Sequence, residues 1–447
     1  MSVTSLLVGG VTPDGFSVVA EVTAGASCRL ALGTTTAVSD YLSPATIADS
    51  DGYARFTLSG IGTATAYFVG IEEAGVLGAT RAKVTTLPAA NAPASFTVAH
   101  ASCTSYYDVA PSNHRVYDAI RARAPLAFHL LGDLHYGDIA TADAALMRSK
   151  IRASISTSRA AAMFAAVPFT YVWDDHDFGP DNSDGTFVGK TTVAAVYRQT
   201  IPHHALPDAG AVYQAWTVGR VRFIQTDLRY YRSPNTDTDN SSKSMLGATQ
   251  NAWFKAELLA AKANPLTVWL NSQVWSVPAT GWSGIDTDGD HWGAFSTERA
   301  ELNDYMAANG ITNVIQLTGD QHALGIRRSV DYSTAGTAPM RVYSAAALDA
   351  LPVTRAGGWD QVQAGRGQYG TLTVTDDGSR VDVLWQGWQV DNTTGVESLV
   401  MSDSYTVGAG ASGDPLTVKV WDGSAWVARP VKVWDGSAWV ARPIAVS

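Results

Sequence analysis

Four short stretches of the chain concentrate groups able to hold cations. They are HASCTSYYD around Cys103, GDLHYGD with Asp133 and Tyr136, WDDHDFG with Asp174, Asp175 and His176, and TGDQH with Asp320 and His322. Each follows an apolar run that reads as a strand, and sites in open α/β sheets form beyond the carboxyl ends of strands. A carboxylate can bridge two cations about 3.5–4 Å apart, the spacing of two-metal hydrolytic sites. Asp133 follows Gly132, whose missing side chain lets the turn approach a cluster. A thiolate from Cys103 and a phenolate from Tyr136 suit a trivalent ion, and a cation would remove their protons. Asp133, Asp175 and Asp320 offer the oxygens that Ca²⁺ or Mg²⁺ prefers. Metals lower the pKa of bound water, so that hydroxide can attack phosphorus in line near neutral pH. His176, next to Asp175, then contacts the phosphoryl oxygens or protonates the leaving group. The chemistry expected is metal-dependent hydrolysis of phosphate esters.

Taken singly, each stretch has a plainer reading. A Gly-Asp after a strand is often only a turn, and WDDHD is also what a solvated loop looks like. A lone buried cysteine is more often a small hydrophobe. The inference rests on all four occurring in order, each behind a strand. His203 and His204 are adjacent and would point apart on a strand, so they are not expected to share a ligand. DTDGDHW (286–292) superficially resembles a calcium loop but lacks the distal glutamate, and is expected to be a surface loop. There is no GxSxG elbow, Walker loop or HExxH helix.

The elements that must position these residues come in three styles. Residues 1–88 show short alternating runs (FSVVAEV, CRLALG, ARFTLSG, AYFVGIEE, RAKVTTL) between Gly, Asp, Ser and Thr clusters, which predicts an all-β sandwich. LPAANAPAS (87–95) reads as a linker. From 96 to about 405 apolar strands alternate with Ala-rich helices, which predicts an α/β domain with a β-rich centre covered by helices. VKVWDGSAWVARP at 418–430 recurs unchanged at 431–443, within a tail expected at 415–447. Each copy sets two β-type runs around Asp-Gly, a hairpin signal. The copies read either as a docking or assembly module or as hairpins that merely cap the molecule.

With 447 residues, 46% of them hydrophobic and 16% charged, the chain can bury a large core. Its net charge of −10 argues against a broad nucleic-acid or anionic-membrane surface. The two cysteines, Cys28 and Cys103, fall in different predicted domains, so a disulfide framework is not expected. The N-terminal stretch does not read as a signal peptide, and no run approaches the roughly 20 apolar residues of a membrane helix.

The motifs resemble, as an ordered set, the PhoD-like alkaline phosphatase/phosphodiesterase family within the calcineurin-like metallophosphoesterases. The resemblance runs through SCTSYY (102–107), HLLGDLHYGD (129–138), YVWDDHDFGPDN (171–182) and FIQTDLRYYRS (223–233). It continues through MLGATQNAWFKAEL (245–258), LNSQVW (270–275), HWGAFSTERAEL (291–302) and LTGDQHALGI (317–326). It implies a metallophosphoesterase β-sandwich flanked by helices, behind a fibronectin-like N-terminal module. It also implies an Fe(III) centre with Ca²⁺ beside it. By position, Cys103 and Tyr136 would bind iron, Asp133 would bridge, Asp175 would take the second metal, and Asp320 and His322 would complete the cluster. His176 would serve the substrate; Arg229 and Arg232 would contact phosphate or pack. Asp177 stands where the family usually has Glu, and His135 where a bulky apolar residue is usual. LNSQ fits only with Gln273 in register, which leaves Asn271 and Gln273 outside the implied ligand set. The tail repeat resembles Trp-rich repeats at the ends of phage tail and other virion proteins. That implies a virus- or prophage-encoded hydrolase carried on a particle or released by lysis, with virion docking or self-association through the repeats.

The competing reading is a structural or adhesive particle protein on a decayed hydrolase scaffold. The tail repeat favours it; the presence of every core ligand type opposes it.

Overall fold

Strands that carry Val, Ile, Leu and Phe on both faces must be covered on both sides, and here they pair into two stacked sheets. In the computed structural model, described over residues 3–105, 111–276, 289–353 and 358–407 with further backbone strands between 417 and 441, sheet I has six strands and sheet II seven. Sheet I runs in the order Phe169–Val172, Phe128–Leu131, Phe96–Ala101, Gln368–Asp376, Val381–Val390, Glu397–Val407. Its first three strands are parallel, and Phe96–Ala101 meets Gln368–Asp376 antiparallel. Sheet II runs Gln214–Val218, Val221–Gln225, Leu266–Leu270, Val314–Thr318, Met340–Ser344, Ala323–Val330, Gln361–Ala364. Its central four strands are parallel.

Parallel strands deliver their carboxyl ends to one edge. The residues that follow Ala101, Leu131, Val172, Gln225, Leu270 and Thr318 therefore gather along that edge. The sheets face each other through aromatic contacts such as His129 against Trp216 and Phe223, and Phe96 against Phe223. Helices Val116–Arg123, Ala144–Ser156, Ser158–Ala166 and Lys190–Thr200 belong to the first half of this region, and Gly247–Ala260 and Ser296–Ala308 to the second. The Ala-rich stretch from 144 to 166 forms two helices rather than one, separated by the extended backbone of Thr157. The three long antiparallel strands between 368 and 407 depart from the expected helix–strand alternation and complete sheet I without crossover helices.

Residues 5–85 form two further antiparallel sheets. Their interior is continuous with the sandwich: Leu6, Val8 and Val84 belong to the same buried cluster as Met163 and Phe169. Gly9 has no room for a side chain, because its backbone lies against the carbonyls of Phe169 and Pro202. Near the end of the chain, Thr417–Trp421 pairs antiparallel with Trp426–Pro430, and Lys432–Trp434 with Trp439–Ala441. Among the described residues no helix is long and apolar enough to cross a membrane.

Candidate metal centre

Gly132 and Gly319 sit where the two sheets' edges touch. A Cβ on Gly132 (φ +94°) would stand 2.6 Å from Asp174 Cβ, and one on Gly319 would strike Leu131 O and Ser102 Cβ. Glycine is thus required at both Gly-Asp turns, and the loops carrying Asp133, Asp174 and Asp320 press together. Cys103, Asp133, Asp320 and His322 all adopt left-handed backbone, with φ between 50° and 61°. Such a conformation costs a non-glycine residue roughly 1–3 kcal/mol, and clusters of it mark sites where geometry is imposed.

Two triads of donor atoms result. Cys103, Asp133 and His322 place ligand atoms within 4.8 Å of one another, and so do Asp133, Asp175 and His176. Asp133 belongs to both, the position of a bridging carboxylate. Its Oδ2 lies 3.4 Å from Cys103 Sγ and accepts from the Tyr136 hydroxyl at 3.1 Å, while its buried Oδ1 has no partner. Tyr136 Oη also lies 3.0 Å from His322 Nε2. The opposite nitrogen, His322 Nδ1, meets the carbonyl of Leu351, which turns the Nε2 lone pair inward. One hydroxyl proton therefore faces two acceptors, while a carboxylate oxygen beside them has no partner.

The electrostatics agree. Burial pushes the Cys103 thiol well up, and Asp133 and Asp320 push it further. Burial does the same to Tyr136, aided by Asp133 and Cys103. The Asp133 carboxyl is also driven well up by burial; His176 opposes this, and Asp175, Asp174 and Asp177 add to it. A thiol, a phenol and a carboxyl crowded in one buried place resist deprotonation until a cation supplies the opposite charge. The donor set therefore fits metal ions.

The His176 ring packs against Tyr136, tilted by 38° with ring centroids 4.3 Å apart. Its Nδ1 lies 2.7 Å from Asp138 Oδ1, and its Nε2 faces Asp181 at 3.6 Å. Burial lowers its pKa, but Asp175, Asp138 and Asp133 outweigh that and push it up to about 11. Asp175 Oδ2 is fixed by the Asn182 N–H at 2.8 Å. Asp320 belongs to neither triad: its N–H donates to Ser102 Oγ, and its carboxylate accepts from Gln321 and acts on Cys103 through charge.

Some expectations need correction. Arg229 does not reach toward substrate. It is fully buried, donating to Asp174 Oδ1 at 2.6 Å and forking onto Asp290 at 2.6 and 2.7 Å. Arg232 is buried too and also pairs with Asp290, at 2.8 Å. Asp290, assigned to a surface loop, is buried, and its carboxyl is held well below the usual range because Arg229 and Arg232 outweigh its burial. Residues 286–288 of that loop, and Tyr106 and Tyr107 of the first motif, lie outside the described residues. His203 and His204 are not on a strand: the first stacks on Tyr197, the second on Trp216. Both cysteines are free.

The fold also brings to the site positions that the sequence reading left outside the expected ligand set. The segment 345–353 wraps Cys103: the N–H groups of Asp349 and Ala350 both donate to its carbonyl, and Leu351 orients His322. It carries no motif that could have flagged it. Asn271, at the end of Leu266–Leu270, is fully buried with neither amide atom partnered, and its neighbours Ser272 and Gln273 donate to Asp174. Its strand-end position was the available signal.

A family model described as PhoD-like phosphatase matches residues 96–343, more than half of the chain. Alkaline phosphatase D of Bacillus subtilis (strain 168) is 27% identical over 292 residues, which cover 54% of this chain and 48% of that protein. The chain thus matches about half the length of this curated relative. Among solved structures, one described as the structure of PhoD superposes with a TM-score of 0.73 at 16% identity over 90% of both chains. Purple acid phosphatase PPD1 from yellow lupin (Lupinus luteus) seeds gives 0.62 at 12% identity, over 89% of this chain and 73% of that one.

Proposed function

The chain belongs to the PhoD-like phosphatase family, and from that premise we propose that it hydrolyses phosphate esters at a centre of two or more metal ions held by the two triads. The observation that carries the proposal is that Asp133 is shared between a Cys103–His322 triad and an Asp175–His176 triad, with Tyr136 against its carboxylate. Cys103, Tyr136, Asp133 and His322 would hold the ion of higher charge, for which Fe(III) suits a thiolate and a phenolate. Asp133 and Asp175 would hold a second ion, for which Ca²⁺ suits an oxygen-rich set, and Asn271, whose buried amide has no partner and whose neighbours hold Asp174, is a candidate to join them. Such ions supply acidified water and neutralise phosphoryl charge.

The protein's own residues account for the rest. Leu351 fixes the His322 tautomer, and Tyr136 packs against the His176 ring beside Asp133 and Asp175. Asp138 orients His176 so that Nε2, on the side of Asp181, can hold a proton for a departing alkoxide. Asp181 and Asp138 are exposed. An anionic substrate approaching this acidic rim needs cations at the centre. No described arginine is free to replace them there, because Arg229 and Arg232 are neutralised inside the protein.

The test is hydrolysis of mono- and bis-nitrophenyl phosphate by the full chain. Chelation and Asp133→Asn are each expected to lower turnover by more than the roughly 10–100-fold that loss of an outer-shell partner costs. Full activity after both treatments would exclude the mechanism. Elemental analysis with a visible spectrum tests the iron assignment, since a tyrosinate on Fe(III) absorbs in the visible. A folded protein that takes up no metal and turns over no ester would favour the scaffold-only reading.

A further inference from the structure

Asp177 touches neither triad, yet both oxygens of its buried carboxylate are committed to the loops that carry them. Oδ2 accepts the Leu134 N–H at 2.8 Å and the Tyr171 hydroxyl at 2.5 Å. Oδ1 accepts the Asp174 N–H at 2.6 Å. Leu134 directly follows Asp133, and Asp174 directly precedes Asp175. One side chain therefore clamps the backbone beside the shared carboxylate to the backbone beside the second triad's own carboxylate. The two loops leave neighbouring parallel strands, Phe128–Leu131 and Phe169–Val172, whose pairing ends at Leu131 and Val172. Beyond that point the Asp138 N–H bonds the His176 carbonyl and Asp138 Oδ1 meets His176 Nδ1, while the Asp177 carboxylate ties together the backbone next to Asp133 and Asp175 themselves.

We infer that Asp177 is a positioning residue: its reach sets the distance between Asp133 and Asp175, and thereby the protein's affinity for the second of two ions. The inference rests on the two-triad reading above and adds to it the residue that spaces the triads. Cys103 and His322 are attached to other elements, the Phe96–Ala101 strand and the turn after Val314–Thr318, so the clamp reaches the first triad only through the shared Asp133.

The experiment is calorimetric titration of Zn²⁺ into the chelator-treated full-length protein, with thermal unfolding recorded for each variant. Wild type is expected to bind in two steps. Asp177→Asn keeps the shape but leaves one acceptor oxygen for the two N–H groups. It is expected to weaken the second step by about 10–100-fold, as losses of outer-shell partners do, with the first step nearly unchanged. Asp177→Glu keeps the charge and both oxygens and alters only the reach. It is expected to fold and to weaken the second step by about 10-fold, so the inference stays testable even if the amide variant unfolds. An unchanged second step in the folded variants overturns the positioning role. Equal weakening of both steps also overturns it, and assigns Asp177 to the general stability of the fold. A wild-type protein that takes up fewer than two ions overturns the underlying two-triad reading instead.

Discussion

The buried chain Asp174–Arg229–Asp290–Arg232 shows how a charge can be essential without meeting substrate. Burial pulls the Arg229 pKa down, but Asp174, Asp290 and Asp175 outweigh that and hold it well above the ordinary arginine value. Removing it leaves buried Asp174 without its cation and Asp290 with Arg232 alone, and breaking a buried pair in this way costs about 3–5 kcal/mol. Arg229→Met is therefore expected to lower unfolding free energy in urea by that amount. The KM for nitrophenyl phosphate in the surviving folded protein should be nearly unchanged. Wild-type stability with a raised KM would instead restore the phosphate contact that the motif resemblance implied. Gly132→Ala makes a sharper case at the same scale. The added methyl would meet Asp174 Cβ in a backbone region that alanine resists, so the variant is expected to lose Zn²⁺ uptake in the same calorimetric titration.

At the scale of elements, three buried histidines and one half-buried one, His203, pack in and beside the sheets' shared interior. His100 and His129 are register partners on neighbouring strands, and His204 and His203 pack nearby on Trp216 and Tyr197. Burial lowers the pKa of His100, His129 and His204 to about 3 and that of His203 to about 4. Each is neutral when folded and takes up a proton on unfolding below the ordinary histidine value of about 6.5. Their contribution is fully present above that value and is lost as pH falls toward 3–4. Stability in urea, measured in chelator between pH 7 and 5, is expected to fall ever more steeply, approaching about 1.4 kcal/mol per histidine per pH unit only at the acid end of that range. His129→Gln should make the slope shallower. A flat profile would show that these rings are not buried neutral.

For the whole molecule, the two ends behave differently. The N-terminal sheets share one core with the sandwich, and Arg152–Glu21 and Arg148–Asp51 ion pairs cross the boundary at 2.5 and 2.8 Å. A fragment starting at residue 96 would expose that apolar face, and is expected to be insoluble or to unfold well below the full chain in calorimetry. Sheet I is complete at Val407. Truncation there is expected to leave both melting temperature and phosphatase turnover within error of wild type, so any particle association that it removed could be assigned to the repeats.

Local sequence singled out most of the candidate ligands that the fold gathers. A Gly-Asp behind an apolar strand, or four ionisable groups after one, is legible because strand patterning and turn chemistry act over a few residues. That reading reached Cys103, Asp133, Tyr136, Asp175, His176 and His322, which the fold brings to one edge. It could not reach Asp290, which looks like any polar loop residue, or the 345–353 segment that wraps Cys103, or the burial of Arg229. It also placed Asp320 among the ligands, whereas the structure sets it beside Cys103 and outside both triads. Burial and ion pairing are made between segments tens to hundreds of residues apart, so only the packing of one sheet on the other decides which charges are enclosed and which meet solvent.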